Sequence, residues 1–254
     1  MKIAQLQRYV LYATIANGEK KAAPATDALG ANRKGTWMGS SDTMALLGDT
    51  LIELSERAPL EKISISNIVD ASGKNRKTFY YHFDSKEALV HWTFRRDMAS
   101  MLLQHANPDT LVYETQGAGT YPTLPYYVRK KIGVRSLDGS PFILSLAACF
   151  ELRRSYYAKA LRPVGADSLR AYLKRLYTPA MEDDVLSILS NRYLPRNNVR
   201  FLAEFYVGAL VSYFAERVID PSCTDLVEDM GPFDNLVHSS LEWEIKEQQL
   251  RRNL

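Results

Sequence analysis

Between Ile63 and Leu89 the chain has room only for short helices, and that limit decides most of what the segment can be. It reads ISISNIVDASGKNRKTFYYHFDSKEAL. Ser64 is placed to cap a helix whose apolar side is Ile65, Ile68 and Val69. Ser72-Gly73 stops that helix, because glycine accepts the left-handed backbone that ends a helix. Asn75 is a second cap and opens a helix through Arg76, Lys77, Thr78, Phe79, Tyr80 and Tyr81. Phe79 and Phe83 are four apart and share its buried side. Asp84 reads as the cap of a longer helix, with Glu87 as its capping-box partner. Val90, Phe94, Met98, Met101 and Leu102 form the apolar stripe of that helix, which ends before Asn107-Pro108.

Two short helices joined by a glycine-containing turn make a helix-turn-helix, whose second helix enters the DNA major groove. The residue types fit that use. Lys74, Asn75, Arg76, Lys77 and Thr78 put hydrogen-bonding side chains at the start of the second helix, with apolar ones behind. Arg76 and Lys77 have the chemistry to reach guanine O6 and N7 or phosphates, and Thr78 a base or phosphate. The start of the next helix, with Lys86 beside it, is suited to a phosphate.

Around this unit the chain reads as all-α. Leu47, Leu51 and Leu54 predict a preceding helix that ends at Ala58-Pro59. Residues 107–139 read as irregular, and helical patterns return over 141–160, 166–190, 196–219 and 232–251. A short amphipathic helix is expected over 3–16, followed by a flexible, Gly- and Pro-broken arm to residue 41. The domains expected are therefore 1–41, an N-terminal extension; 42–105, the DNA-binding domain with its connecting helix; and 106–254, a helical-bundle domain for regulation and dimerisation.

The net charge of +3 is concentrated. Residues 1–41 carry six basic side chains against Glu19 and Asp27, whereas 42–105 carry eight against nine. The arm is either a disordered tail or a DNA ligand acting through counterion release or the minor groove. Two cysteines, Cys149 and Cys223, fit free thiols in a reducing compartment rather than a disulfide scaffold. No apolar run approaches a membrane span and no signal peptide is read, so a cytoplasmic, nucleoid-associated protein is expected. The four histidines have no metal-ligand spacing, and no phosphate-binding loop or nucleophile elbow occurs. Glu182-Asp183-Asp184 reads as a solvated helix face. No catalytic residue, metal or cofactor is therefore expected.

The run Thr78-Phe79-Tyr80-Tyr81-His82-Phe83-Asp84-Ser85-Lys86-Glu87-Ala88-Leu89 strongly resembles the TetR family of bacterial transcription regulators. The fuller run from Gly73, followed by Trp92, is most similar to the subgroup that includes regulators of dihydroxyacetone kinase operons. The resemblance covers about residues 44–95. It implies a three-helix DNA-binding domain and a helical domain for effector and dimer. It also implies DNA-backbone contacts by Thr78, Tyr80, His82 and Lys86, and base-edge positions for Asn75, Arg76 and Lys77. The sequence departs from the common pattern at Lys74, Asn75 and Lys77, and its arm is longer than usual.

Residues 201–214 are apolar nearly all round, as in a helix buried on more than one side. Phe201, Phe205, Gly208, Ala209 and Ser212, with Leu241 and Ile245 of the last helix, are the expected dimer interface; the alternative is packing within one subunit. By resemblance the two helices form a four-helix dimer contact. Many of the fifteen tyrosines fall between Tyr113 and Tyr177. Tyr156, Tyr157, Tyr172 and Tyr177 either line an effector pocket or are half-buried surface residues. The function read is a sequence-specific regulator, by family default a repressor, acting as a homodimer on a palindromic double-stranded operator. A small-molecule or protein effector is compatible with it, and no membrane partner is expected. The rivals are a helical protein-interaction module or coactivator with secondary DNA contact, and a helical enzyme using the tyrosine-rich region.

Overall fold

The computed structural model describes residues 37–117, 119–230 and 236–251. The helix expected over 3–16 and most of the arm lie outside these residues. The head consists of α1 (Trp37–Arg57), α2 (Ile65–Ala71) and α3 (Arg76–His82), packed on the start of α4 (Lys86–His105). α1 begins at Trp37, inside the stretch read as arm. Leu47 and Leu51 of α1, Ile68 and Val69 of α2, Phe79 of α3, Phe83 just after it, and Leu89 of α4 are all buried in one apolar cluster. Gly48 lets α1 run close to α4: a Cβ there would lie 3.1 Å from both Trp92 and Thr93.

The body is α5 (Ser140–Leu152), α6 (Arg154–Ala160), α7 (Leu169–Leu189), α8 (Arg196–Ile219), α9 (Leu226–Asp229) and α10 (Leu236–Arg251). α7 and α8 form its most extensive helix pair, and α4 runs on from the head to pack against α5. The single helix expected over 141–160 breaks at Arg153, whose backbone leaves the helical region at φ −140°, ψ 50°. No glycine or proline marks the break.

Residues 107–139 are not wholly irregular. β1 (Leu111–Val112) pairs antiparallel with β2 (Tyr127–Val128), with Leu111 opposite Val128. β3 (Lys130–Gly133) pairs with β4 (Ser136–Asp138) in a hairpin whose register shifts between Lys131 and Gly133. Strands of two to four residues are too short for alternation to show in sequence. Side chains pin this segment instead. The buried Arg95 guanidinium of α4 pairs with Glu114, donates to the Leu124 carbonyl at 2.7 Å and lies over the rings of Tyr121 and Tyr126. On α7, Asp184 accepts from the Tyr127 hydroxyl at 2.6 Å and from Arg129 Nε at 2.7 Å, with His238 Nε2 of α10 at 3.3 Å. Asp184 is thus buried and paired rather than part of a solvated face, a correction to the reading of Glu182-Asp183-Asp184; Asp183 does stay exposed.

Head and body are joined by a second carboxylate. Asp97 of α4 is buried and accepts from Arg96 Nε at 3.2 Å, Arg153 Nε at 3.1 Å and the Tyr157 hydroxyl at 2.8 Å. Arg96 also reaches Asp49 of α1 at 2.9 Å, and Lys159 of α6 donates to the Ser55 carbonyl of α1. Burial disfavours the Arg96 charge, but Asp97 and Asp49 more than offset that and raise its pKa. Burial also pushes the Tyr157 phenol well up, so it stays a donor.

Removing one partner of a buried charged network leaves the others uncompensated. Asp97→Ala is therefore expected to lower unfolding free energy by about 3–5 kcal/mol in urea titration. Asp183→Ala, which removes an exposed partner of Arg129, is expected to stay within about 1 kcal/mol.

Candidate nucleic-acid interface

The second helix of the motif is built as its residues dictate. Asn75 holds an extended backbone and its side-chain oxygen accepts from the Thr78 amide at 2.8 Å, capping α3. Gly73, at φ +64°, makes the turn. Ser64 caps α2 in a box closed by Asn67, at the position where Glu or Gln is usual. The cap of α4 is Ser85, accepting from the Ala88 amide at 3.1 Å, and not Asp84 with Glu87. Both residues can cap; the chain turns one residue later, at Ser85 in extended conformation.

Phe79 faces the core, and the remaining side chains of α3 divide into rows. Arg76 and Tyr80 are one i, i+4 pair, Lys77 and Tyr81 another, and all four are exposed. Tyr81, 81% exposed, extends the row of Lys77. It was not among the candidate residues, although its spacing from Lys77 is visible in sequence. Lys74 and Asn75 are exposed at the entry of the helix. Arg76 is not loose: its Nη2 donates to the Ser66 hydroxyl of α2, which aims the guanidinium. Thr78 is half-buried and its hydroxyl donates to Asn75 at 3.1 Å. His82 is also half-buried, and burial lowers its pKa, so its ring is neutral near pH 7 and adds no charge.

Lys86 is held differently from expectation. Its ammonium donates to the carbonyls of Leu60 at 2.9 Å and Ile63 at 3.0 Å, tying the α1–α2 connection to α4. In this arrangement it braces the head. The structure therefore groups Arg76, Lys77, Tyr80 and Tyr81 on the exposed surface of one short helix with Lys74 and Asn75 at its entry, sets Thr78 and His82 partly into its packing, and ties Lys86 to the α1–α2 connection.

The other candidate residues separate. Tyr156, Tyr157 and Tyr177 are buried and Tyr172 is half-buried. The Tyr157 hydroxyl is taken by Asp97, whereas Tyr172 stacks on His91 at 4.2 Å. Tyr177 packs against Phe142 at 4.9 Å and Tyr127 at 6.2 Å. Three of the four are thus core residues rather than half-buried surface. On α8, Phe201, Phe205 and Ala209 are exposed and Gly208 and Ser212 half-exposed, forming one outward stripe. Leu241 and Ile245 of α10 are fully buried within the single chain, a correction to their placing in a dimer interface. The outward row of α10 is instead Leu236, Ser239, Trp243, Lys246 and Leu250. Both rows of that helix are apolar enough that sequence alone does not separate them.

Among the described residues no helix is long and apolar enough to cross a membrane. Both cysteines are free thiols, and buried.

The head, with a capped recognition helix presenting cations and tyrosines, defines a helix-turn-helix DNA-binding regulator. Residues 49–91 match the family model described as bacterial regulatory proteins, tetR family, and the chain carries that family's DNA-binding domain. Among solved structures the chain is similar to a dihydroxyacetone kinase operon activator, DhaS. The identity is 16%, covering 79% of this chain and 96% of that one, with a TM-score of 0.47. No curated protein sequence matches the chain.

A Cβ at Gly73 would meet nothing within 4 Å, so substitution there strains only the backbone. Gly73→Ala is expected to cost about 1–2 kcal/mol in urea titration and Gly73→Asn distinctly less, since asparagine visits the left-handed region more readily.

Proposed function

We propose that the chain is a repressor that binds a palindromic operator as a homodimer and reads it with α3. The observation that carries this reading is the exposed set Arg76, Lys77, Tyr80 and Tyr81 on a helix only seven residues long, with Lys74 exposed just before it, held by the Ser66 contact and the buried Phe79. Arg76 and Lys77 are the candidate base-edge readers. Lys74, Tyr80 and Tyr81 are suited to phosphates or to bases beside them. Thr78, His82 and Asn75 serve by shaping the helix start and its packing. Regulation follows if anything shifts α4, because that one helix belongs to both head and body.

Two heads are needed for a two-fold site. The outward stripes of α8 and α10 support self-association: Phe201 and Phe205 are 60% and 59% exposed, and Trp243 is 62% exposed. Large apolar side chains exposed in a row mark an interface. Gly208 lies in the same stripe, with open space where its Cβ would be, which suits close approach of a second helix. In a DNA-binding cell compartment such a protein sits in the cytoplasm with the nucleoid.

Fluorescence anisotropy against DNA upstream of the protein's own gene, with scrambled competitor and a salt series, tests the reading. The expected preference is about 4 kcal/mol or more, with affinity falling steeply as salt rises. Arg76→Ala and Lys77→Ala are each expected to cost about 1–3 kcal/mol of the specific term. Equal affinity for both DNAs in wild type, or no loss in both variants, contradicts it. Phe205→Glu is expected to give a monomer by sedimentation velocity that binds the operator only weakly.

A further inference from the structure

Several arginines of the body and of α4 are neutralised. Arg95 pairs with Glu114, Arg129 with Asp184, Arg153 with Asp97, Arg200 with Glu204 and Arg217 with Asp229. Arg135, Arg192 and Lys246 have no such partner among the described residues, as is also true of Arg162, Arg170, Arg175 and Arg196, but these three come together in one place. They line one surface groove of about 460 Å³ together with Ile188, Glu242 and Trp243. None of the three makes an ion pair within 4 Å to a described residue, and Glu242 is the sole carboxylate lining the groove among the described residues.

The groove is assembled from separate parts of the chain. Arg135 comes from the β3–β4 turn, and its Nε donates to the Ile188 carbonyl at the end of α7 at 2.8 Å. Arg192 follows α7, where Ser190 takes a left-handed φ of 57° to redirect the chain; its Nη1 donates to Gln249 of α10 at 2.9 Å. Glu242, Trp243 and Lys246 belong to α10. These bonds fix both guanidiniums while leaving other N–H donors on each. Burial and then the Arg192 charge hold the Arg135 pKa below its ordinary value, with Glu242 opposing them. Three cations thus line the groove against the single carboxylate of Glu242, an excess of positive charge that an added anion offsets. Planar guanidiniums favour carboxylate or phosphate oxygens, and an exposed indole offers a flat apolar wall.

We infer that this groove binds a small organic dianion, its oxyanion group between Arg135 and Arg192 and its apolar body against Trp243. The site lies in the size range of small-molecule pockets. A ligand there ties α10 to the end of α7 and to the hairpin. The inference uses no part of the reading of α3, but it needs Trp243 to stay clear of the self-association surface proposed above.

Isothermal titration of the full chain with phenyl phosphate tests it, with benzylamine as a cation of similar apolar body and inorganic phosphate as the bare oxyanion. Phenyl phosphate is expected to bind, benzylamine not. The double variant Arg135→Gln, Arg192→Gln is expected to lose about tenfold or more in affinity, equivalent to about 1.4 kcal/mol. Trp243→Leu is expected to weaken phenyl phosphate but not inorganic phosphate. Lys131→Gln, an exposed lysine of the same hairpin outside the groove, serves as a control expected to change nothing. Thermal melts check that the double variant is folded. Absence of binding at ~10 mM phenyl phosphate overturns the inference. So does unchanged affinity in a folded double variant. Because Trp243 and Lys246 lie on the outward row of α10, sedimentation velocity accompanies the titration. Loss of the dimer in the double variant, with no phenyl phosphate binding to wild type, means a second copy fills the groove and also overturns it.

Discussion

Asp97 sits in α4, the one helix that both domains share, and gathers Arg96, Arg153 and Tyr157 around a carboxylate that water does not reach. A buried charge of this kind is tolerable only when its acceptor positions are filled by well-placed donors. The donors come from different places: Arg96 from α4 itself, Arg153 from the break between α5 and α6, and Tyr157 from α6. Arg96 and Arg153 also face Asp49 of α1. The orientation of the head on the body is thereby coupled to the packing of α5 and α6. Apolar contacts hold the same junction, with Phe94 stacked on Phe150 at 5.7 Å and edge-on to Tyr157. Hydrophobic burial supplies most of the attraction, and the charged network supplies the geometry.

That geometry matters because α3 is too short to be stable alone. Its seven residues keep their helix through the Asn75 cap, the buried Phe79 and its contact with Phe83, and the support of α2 through Ser66. Lys86 adds to the support by closing two carbonyls of the α1–α2 connection. What remains free on α3 is a compact set of cations and phenols. The electrostatics of the head are local: its net charge is near zero while the exposed helix is strongly basic. The head meets the body through α4 and also through α1, whose Ser55 carbonyl accepts from Lys159 of α6.

Much of this was legible in the residues. The caps Ser64 and Asn75, the turn at Gly73 and the buried pair Phe79 and Phe83 follow from local chemistry acting over three or four residues, and the structure places each as read. What was not legible depends on distant partners. The helix break at Arg153 answers to Asp97, 56 positions away, and leaves no glycine or proline as a marker. Lys86 looked free for an anion because Leu60 and Ile63 offer only backbone carbonyls, which a sequence does not display. Asp184 reads as solvated beside two acidic neighbours, yet Tyr127 of β2, Arg129 just after it and His238 of α10 converge on it. Sequence does not separate the outward row of α10 from its inward row, because Leu and Trp occupy the first and Leu and Ile the second. In each case the missing term was tertiary rather than local.

The most direct test is selection of bound DNA from a random duplex pool by the full chain, followed by sequencing of the retained fraction. The account predicts enrichment of an inverted repeat whose half-sites lie about one helical turn or more apart, since two α3 helices related by a two-fold axis must read it. Enrichment of a single unrepeated motif contradicts the dimeric reading, and a pool that remains random at low salt contradicts the central claim that α3 reads sequence.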